Sequence, residues 1–590
     1  MRHVLFLIIL LAGSIAKSQE NKHLAGILHS YYEDFLKLNP TAATSLGDYR
    51  YNDKLENSLS QSYRDESGKL FTRYLDSLKK FDKQQFSTRD QLSFNIFRYD
   101  LEMNMGRLQY PTYLNPLNQM FDFRLSFSQL GGGTGNHPFK TVKDYDDFLM
   151  RIGQFPSIAD TAIQNLRRSV AANRPQPKVV IEKVIPQIKA MITDTVTKSL
   201  FYNPIKNIPA SFSSKDKDRL TQAYATAIQQ KIVPAYQRLL RFLQNEYLEH
   251  TRPTVGLLAL QGGKEEYAFL VKAYTTTNLS PDEVFAIGES EVKRIHTEME
   301  KVKQQVGFAG DLKAFLSDAL TNRKFFPFAK DEDVVAAYNG IYARVKPHLS
   351  SQFNMQPKTA FEIRPVEKYR AAATAAHYMR GTTDGSRPGI FYFPVPDATK
   401  YHYWRMEDLF LHEAIPGHHY QISLQIENPT VPGFQKIGAY GAYVEGWGLY
   451  AESLGSQLGL YTDPYQKLGQ LYGEIHRAIR LVVDAGIHHK GWTREQAIQY
   501  SLDNEPITEA NAIQEIERYI VMPGQALSYK IGELKIVEMR RKAEKALGNR
   551  FDVRAFHDEV LKDGALPLKI FEAKMDTWIQ RQVSGAAQKK

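Results

Sequence analysis

The chain contains no cysteine in its 590 residues. That excludes disulfides and thiolate chemistry, and it leaves no lipobox cysteine for a lipid anchor. Any metal must therefore be held by nitrogen and oxygen donors. Beyond the first 20 residues no apolar run approaches the roughly 18 needed to span a bilayer, so no transmembrane helix is expected. Basic residues outnumber acidic ones, 75 to 65, but they are scattered and never form a run of five. No nucleic-acid tract is expected from them. Alternating apolar and polar positions, the mark of a half-buried strand, are scarce. What is present is a 43% hydrophobic chain, 12% of it aromatic, which is ample for a large core and too apolar for wholesale disorder.

The first residues, MRHVLFLIILLAGSIAKSQE, read as a secretory signal peptide over 1–18. Arg2 is the positive end, Val4 to Ala12 the apolar stretch, and Ser14-Ile15-Ala16 a small-x-small cleavage pattern, with cleavage after Ser18 as the variant. A periplasmic or secreted protein is expected. Without disulfides, its stability must come from a large core.

Helical spacing dominates the remainder. It marks helices over 21–36, over 60–101 with a break near Ser87-Thr88, and over 145–171, 178–200 and 223–247. It also marks 282–305, 330–345 and 465–487. Ser280-Pro281-Asp282-Glu283 opens one of these as a capped start with proline at its first position, and Thr493 to Gln496 is patterned as a capping box. Residues 109–137, with Gly131-Gly132-Gly133, read as a loop-forming connector. The best strand candidates are 360–366 and 389–395. They flank a turn-rich segment and suit either a structural hairpin or an edge that pairs with an extended peptide. The expected fold is mainly α: a large helical body with a small sheet just before the stretch that carries the chemistry.

That stretch is LHEAIPGHHYQ, residues 411–421. It sets His412, Glu413, His418 and His419 within eight positions, and seven of the sixteen histidines fall between His402 and His489. Imidazole is the commonest protein metal ligand, and a carboxylate beside a metal site is the usual general base of a hydrolase. The zinc-peptidase pattern H-E-x-x-H places its histidines one turn apart on one helix face, but here that fourth position is Pro416. On a regular helix His418 lies about 600° round from His412, and His419, although facing the same way, lies about 10 Å along the axis. Both ends can serve one metal only if Pro416 and Gly417 break or widen the helix. His418 is preferred as second ligand because fewer residues must be absorbed; His419 is the competitor. Glu445, in YVEGWGLYAE, is the candidate third ligand, and Glu452, two turns on, can support the site from behind. Two histidines, one glutamate and an open position form a catalytic zinc (Zn2+) arrangement. Donors for a developing oxyanion are sought among His488, Arg518, Tyr519 and Tyr529, with His488 and Tyr529 preferred.

HEAIPGHHYQ (412–421), EGWGLYAE (445–452), VDAGIHHKGWTREQA (483–497) and RYIVMPGQALSYKIG (518–532) together resemble the bacterial domain of unknown function 885. LNPTAATSLGDYRYND (38–53), YTTTNLSPDEV (274–284) and GTTDGSRPGIFYF (381–393) extend the likeness over nearly the whole mature chain. That family looks similar to helical zinc peptidases of the carboxypeptidase Taq kind, whose ligands are two histidines and a downstream glutamate. The resemblance implies a two-lobed, mainly α body around a deep cleft, with lobes expected over about 19–350 and 351–590 of a single 19–590 domain. It implies a zinc metallopeptidase acting on oligopeptides, with Glu413 as base. A zinc hydrolase of esters or other amides, and a non-catalytic metal-binding scaffold, are the alternatives.

Overall fold

The structure is a computed structural model describing residues 21–587 apart from 369, 370, 372, 373, 383, 384, 386 and 439. The expected signal peptide lies outside the described residues. Mainly α is the observed class. The described helices begin at Lys22–Leu38 and end at Leu568–Ala587, with a single three-stranded sheet between Phe361 and Phe393. No described helix is long and apolar enough to cross a membrane.

Local chemistry sets the helix starts. The side chains of Asn21, Ser60, Ser87 and Ser213 each accept a backbone N–H in the first turn. Ser280 with Glu283 and Thr493 with Gln496 form complete capping boxes, satisfying donors that a helix cannot satisfy internally. The connector over 109–137 departs from the loop expectation. Phe123–Gly131 is a helix, opened by the Asp122 carboxylate on the N–H groups of Arg124 and Leu125. Its glycine end is a close approach, since a Cβ on Gly131 would sit 2.3 Å from the Phe148 ring.

The sheet runs β1 (Phe361–Pro365), β2 (His377–Met379) and β3 (Gly389–Phe393), with β3 central, parallel to β1 and antiparallel to β2. β1 and β3 are therefore not a hairpin. β3 is buried along most of its length because both of its sides are paired and its faces carry Ile390, Phe391 and Phe393.

Two apolar clusters fill the molecule, and neither respects a boundary at 350. One joins N-terminal Leu28 and Phe97 to C-terminal Trp447 and Phe571. The other joins Phe148 and Tyr224 to Ile475 and Ile516. The reason is that the Pro464–His488 helix is buried on most of its circumference, giving Leu481 and Ala485 to one cluster and Ile475, Ile479 and Val483 to the other, and it packs along Pro281–Gln305. A buried charge cluster ties these two helices to a third, Ser528–Leu547. Fully buried Lys530 reaches Glu474 at 2.7 Å and Glu291 at 3.0 Å.

The Gly441–Glu452 and Ser528–Leu547 helices touch backbone to backbone. A Cβ on Gly532 would lie 1.7 Å from the Ala442 carbonyl oxygen, and one on Gly446 would lie 2.4 Å from Gly532. Side chains there would force the helices apart. Gly532→Ala should cost about 1–3 kcal/mol by overpacking, read as a lower urea midpoint at unchanged slope; an unchanged midpoint would remove this contact as a constraint.

Candidate metal centre

The Met406–Glu413 helix ends at Glu413, and a new helix, His418–Glu427, begins five residues later. Pro416 offers no N–H for continuation. Gly417 passes so close to the preceding turn that a Cβ would lie 1.9 Å from the His412 carbonyl oxygen, which admits only glycine. The Ile415–Pro416 bond is cis. The helix is thus broken rather than widened, and His418 returns towards His412, their rings edge to face at 4.7 Å.

The Gly441–Glu452 helix completes the cluster. Glu445 Oε2 stands 3.4 Å from His412 Nε2 and 3.4 Å from His418 Nε2, and the three donor atoms lie within 4.8 Å of one another. Two atoms bound at ~2.0–2.1 Å to one tetrahedral zinc lie about 3.3–3.4 Å apart, so this spacing fits zinc. His412 Nδ1 is 2.8 Å from Glu452 Oε1. Glu452 is fully buried, and with it taking the Nδ1 proton the Nε2 lone pair faces the other donors. Behind it lies Asp408, whose carboxyl burial first, and the Glu452 charge second, push well up. In the metal-free protein burial works against a charged His412, but contact with Glu445 and then Glu452 outweighs it and raises the imidazole to about 9. Burial likewise opposes the Glu445 charge, and His412 and His418 overcome that and hold the carboxyl well below its usual range.

His419 is not in the cluster. Its Nδ1 meets the Tyr378 hydroxyl at 3.0 Å, its ring packs on Phe361, and burial lowers it to about 4. Glu413 is half-buried, and its carboxylate makes no hydrogen bond or ion pair with any described residue. Tyr529 lies beside the centre, its ring stacked 6.4 Å from the His412 ring, with the Arg480 guanidinium 4.5 Å from its centroid.

The expectation for His488 needs correction. Its Nδ1 accepts the Leu257 N–H at 3.2 Å and its Nε2 donates to the Tyr519 carbonyl at 3.0 Å. Burial lowers it to about 4, so it is a neutral, doubly bonded core histidine with no donor to spare. Tyr519 and Arg518 are also engaged. The Tyr519 hydroxyl donates to Glu515 at 2.6 Å, and Arg518 donates to Gln525 at 2.8 Å. Arg480, 5% exposed, donates through Nε to Tyr519 and through Nη2 to Glu515, while its Nη1 has no partner among the described residues.

Sequence reasoning missed why EGWGLYAE is spaced as it is. Gly446 admits the neighbouring helix, the Trp447 Nε1–H holds the Pro416 carbonyl at 2.8 Å, and Gly448 clears the His412 ring, which a Cβ would approach to 2.8 Å. The two glycines flanking a tryptophan inside a helix were the available signal, because glycine there costs stability unless something must come close.

Three expectations follow. Zinc binding at pH 7 should release about one proton, because the metal displaces the proton that His412 holds below about 9, and apparent affinity should fall as pH is lowered. Calorimetry in buffers of different ionisation enthalpy reads this directly; no release would contradict it. Glu452→Gln should lower zinc affinity about 10–100-fold, measured by competition with a chelator.

Comparison with known proteins gives the family. The model of the bacterial proteins of unknown function DUF885 matches residues 40–575. A solved protein of Colwellia psychrerythraea described as a lipoprotein is 26% identical, with 95% of this chain and 99% of that chain covered at a TM-score of 0.86. A protein of Shewanella oneidensis, described as a lipoprotein of unknown function, shares the fold at 19% identity and a TM-score of 0.72, over 94% and 99% of the two chains. No curated protein matches the chain. Over nearly all of its length, then, the chain belongs to the DUF885 family of bacterial proteins of unknown function.

Proposed function

We propose that this protein is an exported zinc-dependent peptidase that hydrolyses oligopeptides. The observation that carries the reading is that Glu445 Oε2 stands 3.4 Å from both His412 Nε2 and His418 Nε2, next to a Glu413 carboxylate that no described residue occupies.

His412, His418 and Glu445 would hold the metal, and zinc so held supplies a Lewis acid for a carbonyl oxygen and makes water a stronger acid at neutral pH. Glu452 stays on Nδ1 of His412 and is not free to close the fourth position. A purely structural site would be closed by protein ligands, so this arrangement favours catalysis over a scaffold role. Glu413 accepts the proton of the attacking water and passes it to the leaving amine nitrogen. The Tyr529 hydroxyl has no hydrogen-bond partner among the described residues, and its ring lies against the His412 ring and the Arg480 guanidinium. It is the donor placed to meet the carbonyl oxygen as negative charge develops there. Export is supported by the apolar leader and by the lipoprotein descriptions of the structural relatives.

The test is hydrolysis of a mixed peptide library by the zinc-loaded protein. Glu413→Gln should keep zinc and lose about 10²–10⁴ in rate, and Tyr529→Phe should lose about 10²-fold in kcat with KM little changed. Full activity in Glu413→Gln would end its role as base. Cleavage of esters but not peptides would move the protein to the alternative hydrolase class.

A further inference from the structure

A cavity of about 660 Å³ lies at the starts of the two helices that carry Glu445 and Tyr529 and is walled from both ends of the chain. Thr88–Arg107 contributes Asp100 and Arg107, the end of β2 contributes Arg380, and the starts of the two glycine-packed helices contribute Gly441 and Ser528. Gly441 precedes Glu445 by one helical turn, about 6 Å of rise, and Ser528 precedes Tyr529. A second cavity of about 140 Å³ shares Arg380 and adds Arg387 and Lys436.

The charges in these walls do not balance. Asp100, the one carboxyl in the described lining of either cavity, accepts the Tyr440 hydroxyl at 2.7 Å, and burial pushes it up to about 7. It is a poor partner for a cation. The larger cavity also holds Arg107 and Arg380, and the smaller one holds Arg380, Arg387 and Lys436. Arg380 is half-buried. Burial, and then Arg387 beside it, hold its guanidinium below its usual range, and its described bond is to the Ser45 carbonyl at 3.3 Å. The Arg387 Nε is buried without a partner among the described residues. Among the described residues Lys436 Nζ donates to the Ile426 carbonyl at 3.1 Å. Desolvated guanidinium groups short of an acceptor gain most from a carboxylate, whose geometry they match with two hydrogen bonds. Arg380 is tied to the candidate metal centre, because Tyr378 of β2 bonds His419, the neighbour of His418, and Gly389 lets β3 close against both.

We propose that this double cavity is a carboxylate-binding subsite, so that the preferred substrates are peptides carrying a negative charge close to the scissile bond. Arg380 is its centre and Arg107 and Arg387 its flanks. The carboxylate is that of an acidic side chain or of a free C-terminus. The substrate class rests on the peptidase reading; the anion site does not.

The test is calorimetric binding of matched short peptides to the full-length zinc-loaded protein carrying Glu413→Gln, so that bound peptide persists. One pair differs as glutamate against glutamine, the other as free acid against C-terminal amide. At least one acidic member should bind about tenfold more tightly or better, and the advantage should shrink with added salt. Which pair responds names the source of the carboxylate. Arg380→Gln, and independently Arg107→Gln from a different element, should bring the acidic peptide towards its neutral twin. Equal binding within both pairs overturns the subsite. An acidic preference in binding together with no cleavage of either peptide by the unsubstituted protein keeps the subsite and overturns the peptidase reading instead.

Discussion

The bond between His412 Nδ1 and Glu452 Oε1 is the interaction on which the centre depends. It settles which nitrogen of His412 would keep its proton when a metal binds and aims the other towards His418 and Glu445. It works because Glu452 is fully buried and cannot trade the imidazole for water. Burying that carboxylate is costly, and the fold compensates with the His412 N–H, with Arg477 at 3.9 Å, and with a neighbour, Asp408, that burial and repulsion drive towards its neutral form.

Around this bond the chain uses absence of side chains as a structural tool. Gly417 lets the broken helix fold back on His412, Gly448 leaves room for the imidazole, and Gly446 with Gly532 brings the helix bearing Glu445 against the helix bearing Tyr529. Each glycine would weaken an isolated helix. Together they allow backbones to approach where any Cβ would hold the donor atoms too far apart for one metal.

The N-terminal helices do more than support this centre. Their apolar residues share a cluster with Trp447 and Phe410, and their polar face supplies Asp100 and Arg107 to the cavity that reaches Gly441, at the start of the helix bearing Glu445. A chain with the metal centre alone would have chemistry without an enclosed approach. The interleaving of the two apolar clusters makes the early helices and the late helices one body around that approach.

By itself the sequence determined the helical class, most helix spans and caps, and which residues to look for at the His-His-Glu cluster. Spacing, capping residues and the His-Glu cluster are local signals that need no distant partner. It also determined that Pro416-Gly417 must interrupt the helix, since proline and glycine act on their own backbone. Tertiary structure alone decided that His418 and not His419 turns to Glu445, because Tyr378 and Phe361 of a distant sheet take the second ring. It alone withdrew His488, whose partners Leu257 and Tyr519 lie 231 and 31 residues away, and it alone made a helix of Phe123–Gly131. Which donors meet is set by packing between segments far apart in the chain, and no local pattern carries that distance.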